Sequence, residues 1–214
     1  YKAEMKSEKE LHKDALEGKS DLDLKNINFE VLDDKGKPID DAIVKKYFTA
    51  QKLKEIQNDE NTTTSTYVIY AAADHDLKDS ASNAGLNFTQ TVWAWVDVQK
   101  VGGVDTWAKG TRYEAKWQLH DGANFTLKSG VFEAKAQGRS KSTGKTVSYS
   151  SPSPFSIPTW DSTYVKTPTS WDYVKIDDQF GFAGAHISTS YTVRSTTSTI
   201  HSNVVVGSVP ISWQ

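Results

Sequence analysis

The sequence predicts a mainly β protein: an antiparallel β-sandwich of about ten strands, of the jelly-roll or lectin and glucanase kind, with a short helical segment at the N-terminus. Apolar and polar residues alternate with a period of two through much of residues 61–214. Turn signals such as Val101-Gly102-Gly103 separate the alternating segments. No long helical pattern interrupts them, which disfavours parallel βαβ units.

Composition and charge exclude several classes of function. The 214 residues suffice for one well-buried domain, and a net charge of −2 gives no electrostatic basis for a nucleic-acid partner. The absence of cysteine excludes a disulfide scaffold, a Cys-ligated zinc site and thiol catalysis. Because no run of about 18 apolar residues occurs, we expect no transmembrane segment.

The chain has two compositional parts, which predict two structural parts. Residues 1–60 contain 12 lysines, 15 acidic residues and no tryptophan, whereas residues 61–214 contain all seven tryptophans, 20 serines and 20 threonines. We therefore expect residues 1–60 to form a helical lead that packs on a β-sandwich domain of residues 61–214, joined through the polar tract 58–64. A cleaved or mobile pro-segment is the alternative for residues 1–60.

Two helices and one strand are predicted in the first part. Residues 2–17 are rich in good helix formers, and Gly18 stands where a helix-terminating glycine belongs. Residues 27–32 have the composition of a strand. A second helix is predicted to begin at Asp40 or Asp41, whose carboxylate can cap it. Apolar residues follow at helical spacing: Ile43, Tyr47 or Phe48, Ala50, Leu53 and Ile56.

Strand alternation in the second part places two tryptophans on one face. In residues 87–98 the even positions are almost all apolar, so Trp93 and Trp95 share the opposite face. Residues 111–120 alternate with apolar odd positions and a polar even face. Further strands are predicted at 66–72, 131–138, 146–150, 163–166, 173–176, 187–194, 199–206 and 209–213.

A lysine- and glutamate-rich helical lead precedes a cysteine-free domain that contains TVWAWVDVQ, RYEAKWQLHDG and ISTSYTVRSTTSTIHSNVVVG. This combination resembles uncharacterised secreted Bacillus proteins of the YrpD type. The resemblance covers most of the chain and implies an exported β-sandwich of the broad lectin and glucanase kind, with no catalytic residues to carry over. Zero cysteine and one methionine are also typical of mature exported Gram-positive proteins. We therefore expect an extracellular protein whose signal peptide was removed upstream of Tyr1.

Four tryptophans form the candidate ligand site: Trp93, Trp95, Trp160 and Trp171. An indole offers a flat apolar face and a polar N–H group, which suits sugar rings. Because residues 61–214 contain few carboxylates, the sequence favours a secreted, non-catalytic protein that binds carbohydrate or a cell-envelope polymer. The alternative for these tryptophans is a place in the core, or beneath the N-terminal helices.

Two other functions stay open. A glycan-active hydrolase or lyase on the same fold would use Glu114 or Glu133, the two glutamates of residues 61–214, as acid or base. The Glu-x-Asp-x-Glu pattern of many sandwich glucanases is absent, and both glutamates suit solvated strand positions. A membrane- or protein-interacting β protein is the other alternative, because the Ser/Thr-rich strands of residues 187–206 are only weakly amphipathic.

An acidic loop is the candidate metal site. Asp74, Asp76 and Asp79 supply three carboxylates within one loop, and Ca²⁺ prefers several oxygen ligands. The loop lacks the glycine and the distal glutamate of an EF-hand, and Lys78 opposes a cation. A solvated loop is therefore the alternative. Calcium is the one cofactor that the sequence suggests.

Overall fold

The computed structural model describes residues 1–76, 87–120, 125–155, 159–193 and 195–208, with the backbone alone for 153–155. These residues form one α-helix, one 3₁₀ turn and eleven β-strands. The elements are α1 (Glu8–Leu16), the 3₁₀ turn (Leu24–Asn26), β1 (Ile27–Leu32), β2 (Val44–Gln57), β3 (Thr62–His75), β4 (Phe88–Val101), β5 (Asp105–Leu119), β6 (Phe125–Arg139), β7 (Thr146–Phe155), β8 (Thr163–Lys166), β9 (Val174–Lys175), β10 (Phe182–Val193) and β11 (Thr196–Gly207).

Two antiparallel sheets pack face to face as an open sandwich, which confirms the predicted fold class. The five-stranded sheet has the order β1-β11-β10-β6-β7. The six-stranded sheet has the order β2-β3-β4-β5-β8, with β9 also paired to β5. Strands β2 to β5 are neighbours both in sequence and in space, so long hairpins build most of this second sheet.

The predicted second helix is wrong, because residues 44–57 form the edge strand β2, paired with β3. The pairing shifts register between Lys52 and Lys54, so Leu53 is an extra residue that interrupts the alternation. The apolar residues Ala50, Leu53 and Ile56 consequently lie three apart, which also fits a helix. Backbone pairing with β3 decides the conformation, since a sheet overrides a weak local pattern.

The first helix is shorter than residues 2–17 because Ser7 caps it. The Ser7 hydroxyl accepts a hydrogen bond from the Glu10 backbone N–H, and the Glu10 carboxylate accepts one from the Ser7 backbone N–H, each at 3.2 Å. Before this capping box, the Ala3 N–H donates to the Leu53 carbonyl, so the chain runs beside β2. Gly18 follows the helix at a φ of 69°, as expected of a terminating glycine.

The core lies between the two sheets and contains one cluster of polar side chains. On β4, the even residues Phe88 and Val96 face the five-stranded sheet and are buried, as their alternation predicts. The hydroxyl of Thr189 on β10 accepts hydrogen bonds from Gln90 Nε2 at 2.9 Å and Trp117 Nε1 at 3.0 Å. These bonds connect β10 to β4 and β5, and therefore fix one sheet relative to the other.

Most of the other predicted strands are present with longer bounds, and β8 has the bounds predicted for it. The polar tract 58–64 is the turn between β2 and β3 and the first residues of β3. The predicted strand 209–213 lies outside the described residues. Within the described ranges, no helix is both long and apolar enough to cross a bilayer.

Candidate functional site

The outer face of the six-stranded sheet carries the tryptophan pair of β4, and helix α1 covers part of it. Leu11 of α1 is fully buried in a cluster that includes Val68, Tyr70 and Trp93. Trp93 is consequently only 9% exposed. Trp95 packs beside the same cluster and is half-buried. Of the two indoles, Trp95 is therefore the one that a ligand can reach.

Polar contacts hold α1 in place over Trp93. The ammonium group of Lys116 lies 5.5 Å from the centre of the Trp93 ring and 2.8 Å from Glu8 Oε2. At the next turn of the helix, His12 Nδ1 lies 2.8 Å from the hydroxyl of Tyr70. Burial raises the pKa of Tyr70, so this hydroxyl keeps its proton at neutral pH. The helix is thus fixed to the sheet at both positions.

Trp95 faces an arginine on the neighbouring strand. It lies directly opposite Arg112, and the pairing of β4 with β5 shifts register immediately beyond this pair. The guanidinium carbon of Arg112 lies 5.6 Å from the indole centre, a distance at which a cation is attracted to the ring. Arg112 Nε also donates to Glu114 Oε2 at 3.1 Å. The Arg112 side chain is 45% exposed, so its donors remain accessible to solvent.

Half-buried aromatic and polar side chains continue along the same face toward the β4–β5 turn. We call the following residues the outer strip: Trp95, Asp97 and Gln99 of β4, and Trp107, Lys109 and Arg112 of β5. Asp97 lies opposite Lys109, and Gln99 lies opposite Trp107. Because Gln99 lies four positions along the extended strand from Trp95, the strip is about 13 Å long. It presents indole rings together with hydrogen-bonding groups of both charges.

Tyr173 lies at the far end of the outer strip. The ammonium groups of Lys109 and Lys141 lie 5.8 Å and 5.6 Å from the centre of its ring. Burial raises the pKa of Tyr173 to about 12, with smaller contributions from Asp97 and Asp172. The phenol is therefore protonated at neutral pH and able to donate a hydrogen bond. Two cations and one phenol thus meet at this end.

A fixed carboxylate positions Tyr173. The Asp172 side chain accepts hydrogen bonds from the Ser140 hydroxyl at 2.5 Å, the Ser142 hydroxyl at 2.7 Å and the Tyr173 backbone N–H at 2.7 Å. Burial alone would raise the pKa of Asp172, but these serine and backbone hydrogen bonds lower it to about 2. Asp172 therefore stays ionised and holds the chain beside β9 in place.

The other two predicted tryptophans lie elsewhere. The ring of Trp160 packs against Phe88 and Phe125, with centroid distances of 6.2 Å and 6.3 Å. Trp171 stacks on Tyr149 of β7, with centroids 5.3 Å apart and an angle of 12° between the rings. Both indoles are half-buried and pack against the main core. The structure therefore brings together Trp93 and Trp95, and it places Trp160 and Trp171 at separate positions.

The two candidate catalytic glutamates lie on opposite sides of the sandwich. Glu114 is on the outer face of the six-stranded sheet, directly opposite Trp93. Glu133 is on the outer face of the five-stranded sheet, directly opposite His186. Packed sheets are about 10 Å apart, and both side chains point away from the space between them. These two carboxyl groups consequently cannot flank one glycosidic bond.

The acidic loop is only partly within the described residues. Asp74 is the last residue but one of β3, on its outer face, and accepts a hydrogen bond from the Thr89 hydroxyl at 2.6 Å. Asp76 donates its backbone N–H to the Ile43 carbonyl, and Asp79 lies outside the described residues. In the part of the chain that the structure describes, no three histidine, aspartate or glutamate side chains form a metal-binding group. Calcium binding by this loop stays a prediction.

The structure contains a groove that sequence reasoning missed. It has a volume of about 440 Å³ and opens at the end of the sandwich beside the β2–β3 and β4–β5 turns. Inside it, Lys52 Nζ lies 3.0 Å from Glu55 Oε1, and the Ser65 hydroxyl donates to the same oxygen at 3.1 Å. Because its lining comes mainly from three strands, no local motif marks the groove. Lys52 and Glu55 already neutralise each other there.

The residues that surround Trp95 were also missed, although hairpin register gives a signal for them. Val101 pairs with Asp105 across the turn, so counting back along both strands brings Trp95 close to residue 111. The register shift beside Trp95 moves the partner to Arg112, which counting alone does not give. The chain matches no protein-family model, no curated protein and no solved structure. The geometry of the outer strip must therefore carry the functional argument.

Proposed function

We propose that this protein is a non-catalytic carbohydrate-binding β-sandwich and that its ligand lies along the outer strip. The observation that carries the proposal is the half-buried indole of Trp95 on the outer face of the six-stranded sheet, with Arg112 beside it and further polar side chains in line. Aromatic rings provide apolar contact to the C–H faces of sugars, and polar groups next to them bind hydroxyls.

Apart from Arg112, the side chains of the strip need little reorganisation for binding. Its side chains project from two paired strands, and cross-strand contacts restrain several of them. The Thr66 hydroxyl donates to Asp97 at 2.6 Å, and Gln99 Nε2 donates to the Thr64 hydroxyl at 3.1 Å. Because these groups are already ordered, binding costs less side-chain entropy than it would on a mobile loop. A length of about 13 Å accommodates a short oligosaccharide or a segment of a polymer.

The guanidinium of Arg112 has a defined role in the proposed binding mode. A sugar ring that packs on Trp95 displaces the guanidinium from the indole, and Arg112 then donates to ligand oxygens. Glu114 accepts from Arg112 Nε and keeps the guanidinium near the sheet during this change. A glycan of the cell envelope or another extracellular polymer is the ligand class that we propose. The cysteine-free, serine- and threonine-rich composition is typical of mature exported Gram-positive proteins, so the proposal includes an extracellular location.

The two alternative functions receive less support. The opposite placement of Glu114 and Glu133 argues against a glycosidase that uses this pair. Strands β10 and β11, proposed as the membrane- or protein-interacting segment, are paired along their length and lie inside the five-stranded sheet between β1 and β6, with one register shift against β6 at Ser190 and Tyr191. A rearrangement of this hairpin would have to break the pairing on both of its sides.

Binding to a glycan array and sedimentation with purified cell-wall polymers test the proposal. We expect the wild-type chain to bind at least one glycan class and the Trp95→Ala variant to lose that binding. Phe180→Ala is the matched control, because Phe180 is an aromatic residue that is 68% exposed and belongs to no part of the strip. Absence of all glycan binding, or equal binding by Trp95→Ala, would contradict the proposal.

A further inference from the structure

Two histidines meet on the outer face of the five-stranded sheet, far from the outer strip. His186 lies on β10 and pairs with Asn203, and His201 lies on the adjacent strand β11 and pairs with Ser188, so the two histidines are diagonal neighbours on one face of the sheet. Their Nε2 and Nδ1 atoms are 3.0 Å apart, and their ring centroids are 5.2 Å apart. In sequence the two residues are 15 positions apart, so they come together only through the β10–β11 register.

A carboxylate orients the first of these rings. Glu133 on β6 is directly opposite His186, and its Oε2 lies 3.6 Å from His186 Nδ1. The other carboxylate oxygen accepts a hydrogen bond from the Ser150 hydroxyl at 2.5 Å. A carboxylate beside Nδ1 favours the tautomer that carries its proton there. The Nε2 lone pair of His186 then points toward His201, as in a histidine that is ready to bind a metal ion.

We propose that His186 and His201 bind a divalent transition-metal ion of the zinc class between Nε2 of the first ring and Nδ1 of the second. A zinc ion about 2.05 Å from each nitrogen at the present separation would give an N–Zn–N angle of about 94°. A separation of about 3.3 Å would give the tetrahedral angle, so the nitrogens would part by about 0.3 Å and each ring would turn by about 35° to direct its lone pair at the ion, which lies off the line between the two nitrogens. Imidazole nitrogen is a preferred ligand of this class of metal.

Metal binding replaces the hydrogen bond between the rings. With the His186 tautomer that Glu133 favours, His201 Nδ1 is the donor of that bond and His186 Nε2 the acceptor, so binding requires His201 to exchange its Nδ1 proton for one on Nε2 through solvent. The net number of protons on the two rings does not change. In the described ranges no third acidic or histidine side chain completes a cluster with them, and water fills the other coordination positions. Glu133 acts as a positioning residue through His186.

Calorimetric titration of the full chain with zinc chloride tests the proposal, with magnesium chloride as the hard-cation control. We expect saturable binding of about one zinc per chain. His201→Gln and His186→Gln should each weaken the affinity at least tenfold, and Glu133→Gln about tenfold. His12→Gln is the matched control, because His12 lies on the other face of the sandwich and bonds to Tyr70.

Side-chain NMR of the histidine nitrogens provides a second measurement that needs no variant. Zinc should shift the His186 Nε2 and His201 Nδ1 resonances and leave those of His12 unchanged. Near-UV circular dichroism shows whether each variant is folded. If His186→Gln fails to fold, the zinc affinity of His201→Gln and the NMR shifts of the wild type test the site instead. Absence of zinc binding, an unchanged affinity in folded His201→Gln, or shifts at other histidines instead would overturn the proposal.

Discussion

The guanidinium of Arg112 lies 5.6 Å from the centre of the Trp95 indole, across two paired strands of the six-stranded sheet. The register shift next to this pair is a β-bulge, and bulges commonly redirect side chains at the border of a functional surface. Here the bulge places an arginine opposite Trp95, the half-buried tryptophan of this face. Next to them, α1 covers the other tryptophan of the same strand face.

Leu11 attaches α1 to the sheet, and its truncation should destabilise the protein. Leu11→Ala removes a fully buried side chain from the cluster with Val68, Tyr70 and Trp93. We expect a loss of about 2–4 kcal/mol in the free energy of unfolding, measured by urea denaturation. Leu16→Ala on the same helix is the control, because Leu16 is 61% exposed and should change the value by less than about 0.5 kcal/mol. Equal effects of the two variants would contradict this account of the helix.

Thr189 satisfies two buried donors, and removing its hydroxyl should be costly. Thr189→Val keeps the shape of the side chain but leaves Gln90 Nε2 and Trp117 Nε1 without this acceptor. We expect a loss of about 2–4 kcal/mol in the free energy of unfolding. Thr197→Val is the control, because the Thr197 hydroxyl makes an exposed contact with Thr192 at 3.0 Å. A stable Thr189→Val variant would mean that the inter-sheet hydrogen bonds contribute little.

His75 should make the protein sensitive to acid. Its ring is fully buried and stacks on Phe88, with centroids 4.2 Å apart. Neither ring nitrogen has a hydrogen-bond partner in the described part of the chain. Burial lowers the pKa of His75 from 6.5 to about 3. Below pH 6.5 the unfolded chain therefore binds a proton that the folded chain does not, and stability falls as the pH decreases through this window.

The free energy of unfolding should fall by about 1.4 kcal/mol per pH unit between pH 6.5 and pH 3, so the loss at pH 5 is about 2 kcal/mol. His75→Phe retains an aromatic ring against Phe88 but has no group that binds a proton in this pH range. On going from pH 7.5 to pH 5, the wild type should therefore lose about 2 kcal/mol more of its free energy of unfolding than the variant does. Urea denaturation at both pH values measures the difference. His120→Gln, a change at an exposed histidine, is the control. Parallel pH profiles for wild type and His75→Phe would contradict the burial argument.

The sequence predicts structure well where one face of a strand is apolar and no bulge intervenes. The even positions of β4 from Phe88 to Val98 are apolar except for Gln90, so the strand and the outward direction of Trp93 and Trp95 were both predictable. In β2 the extra residue Leu53 interrupts the alternation, and the remaining spacing resembles that of a helix. Helix α1 was predicted, but its first residue was not, because the capping box at Ser7 sets where the helix begins.

The candidate site was less predictable than the strands because it depends on contacts between distant segments. Nothing local to Trp93 indicates that Leu11 covers it, since that contact joins the helix to the fourth strand. The meeting of Glu133, His186 and His201 likewise requires the register of three strands. Sequence alternation thus assigns side chains to a face, and tertiary packing decides which of them stay accessible.

The most direct test of carbohydrate binding is a calorimetric titration with the best ligand from the glycan array. It compares wild type, Trp95→Ala and Phe180→Ala, with thermal unfolding measured for each. The account predicts that Trp95→Ala lowers the affinity at least tenfold and changes the melting temperature by only a few degrees, whereas Phe180→Ala binds as the wild type does. An unchanged affinity in Trp95→Ala would contradict the account. A second result would also contradict it: the wild type binds no glycan, and Trp95→Ala has a much lower melting temperature than the wild type.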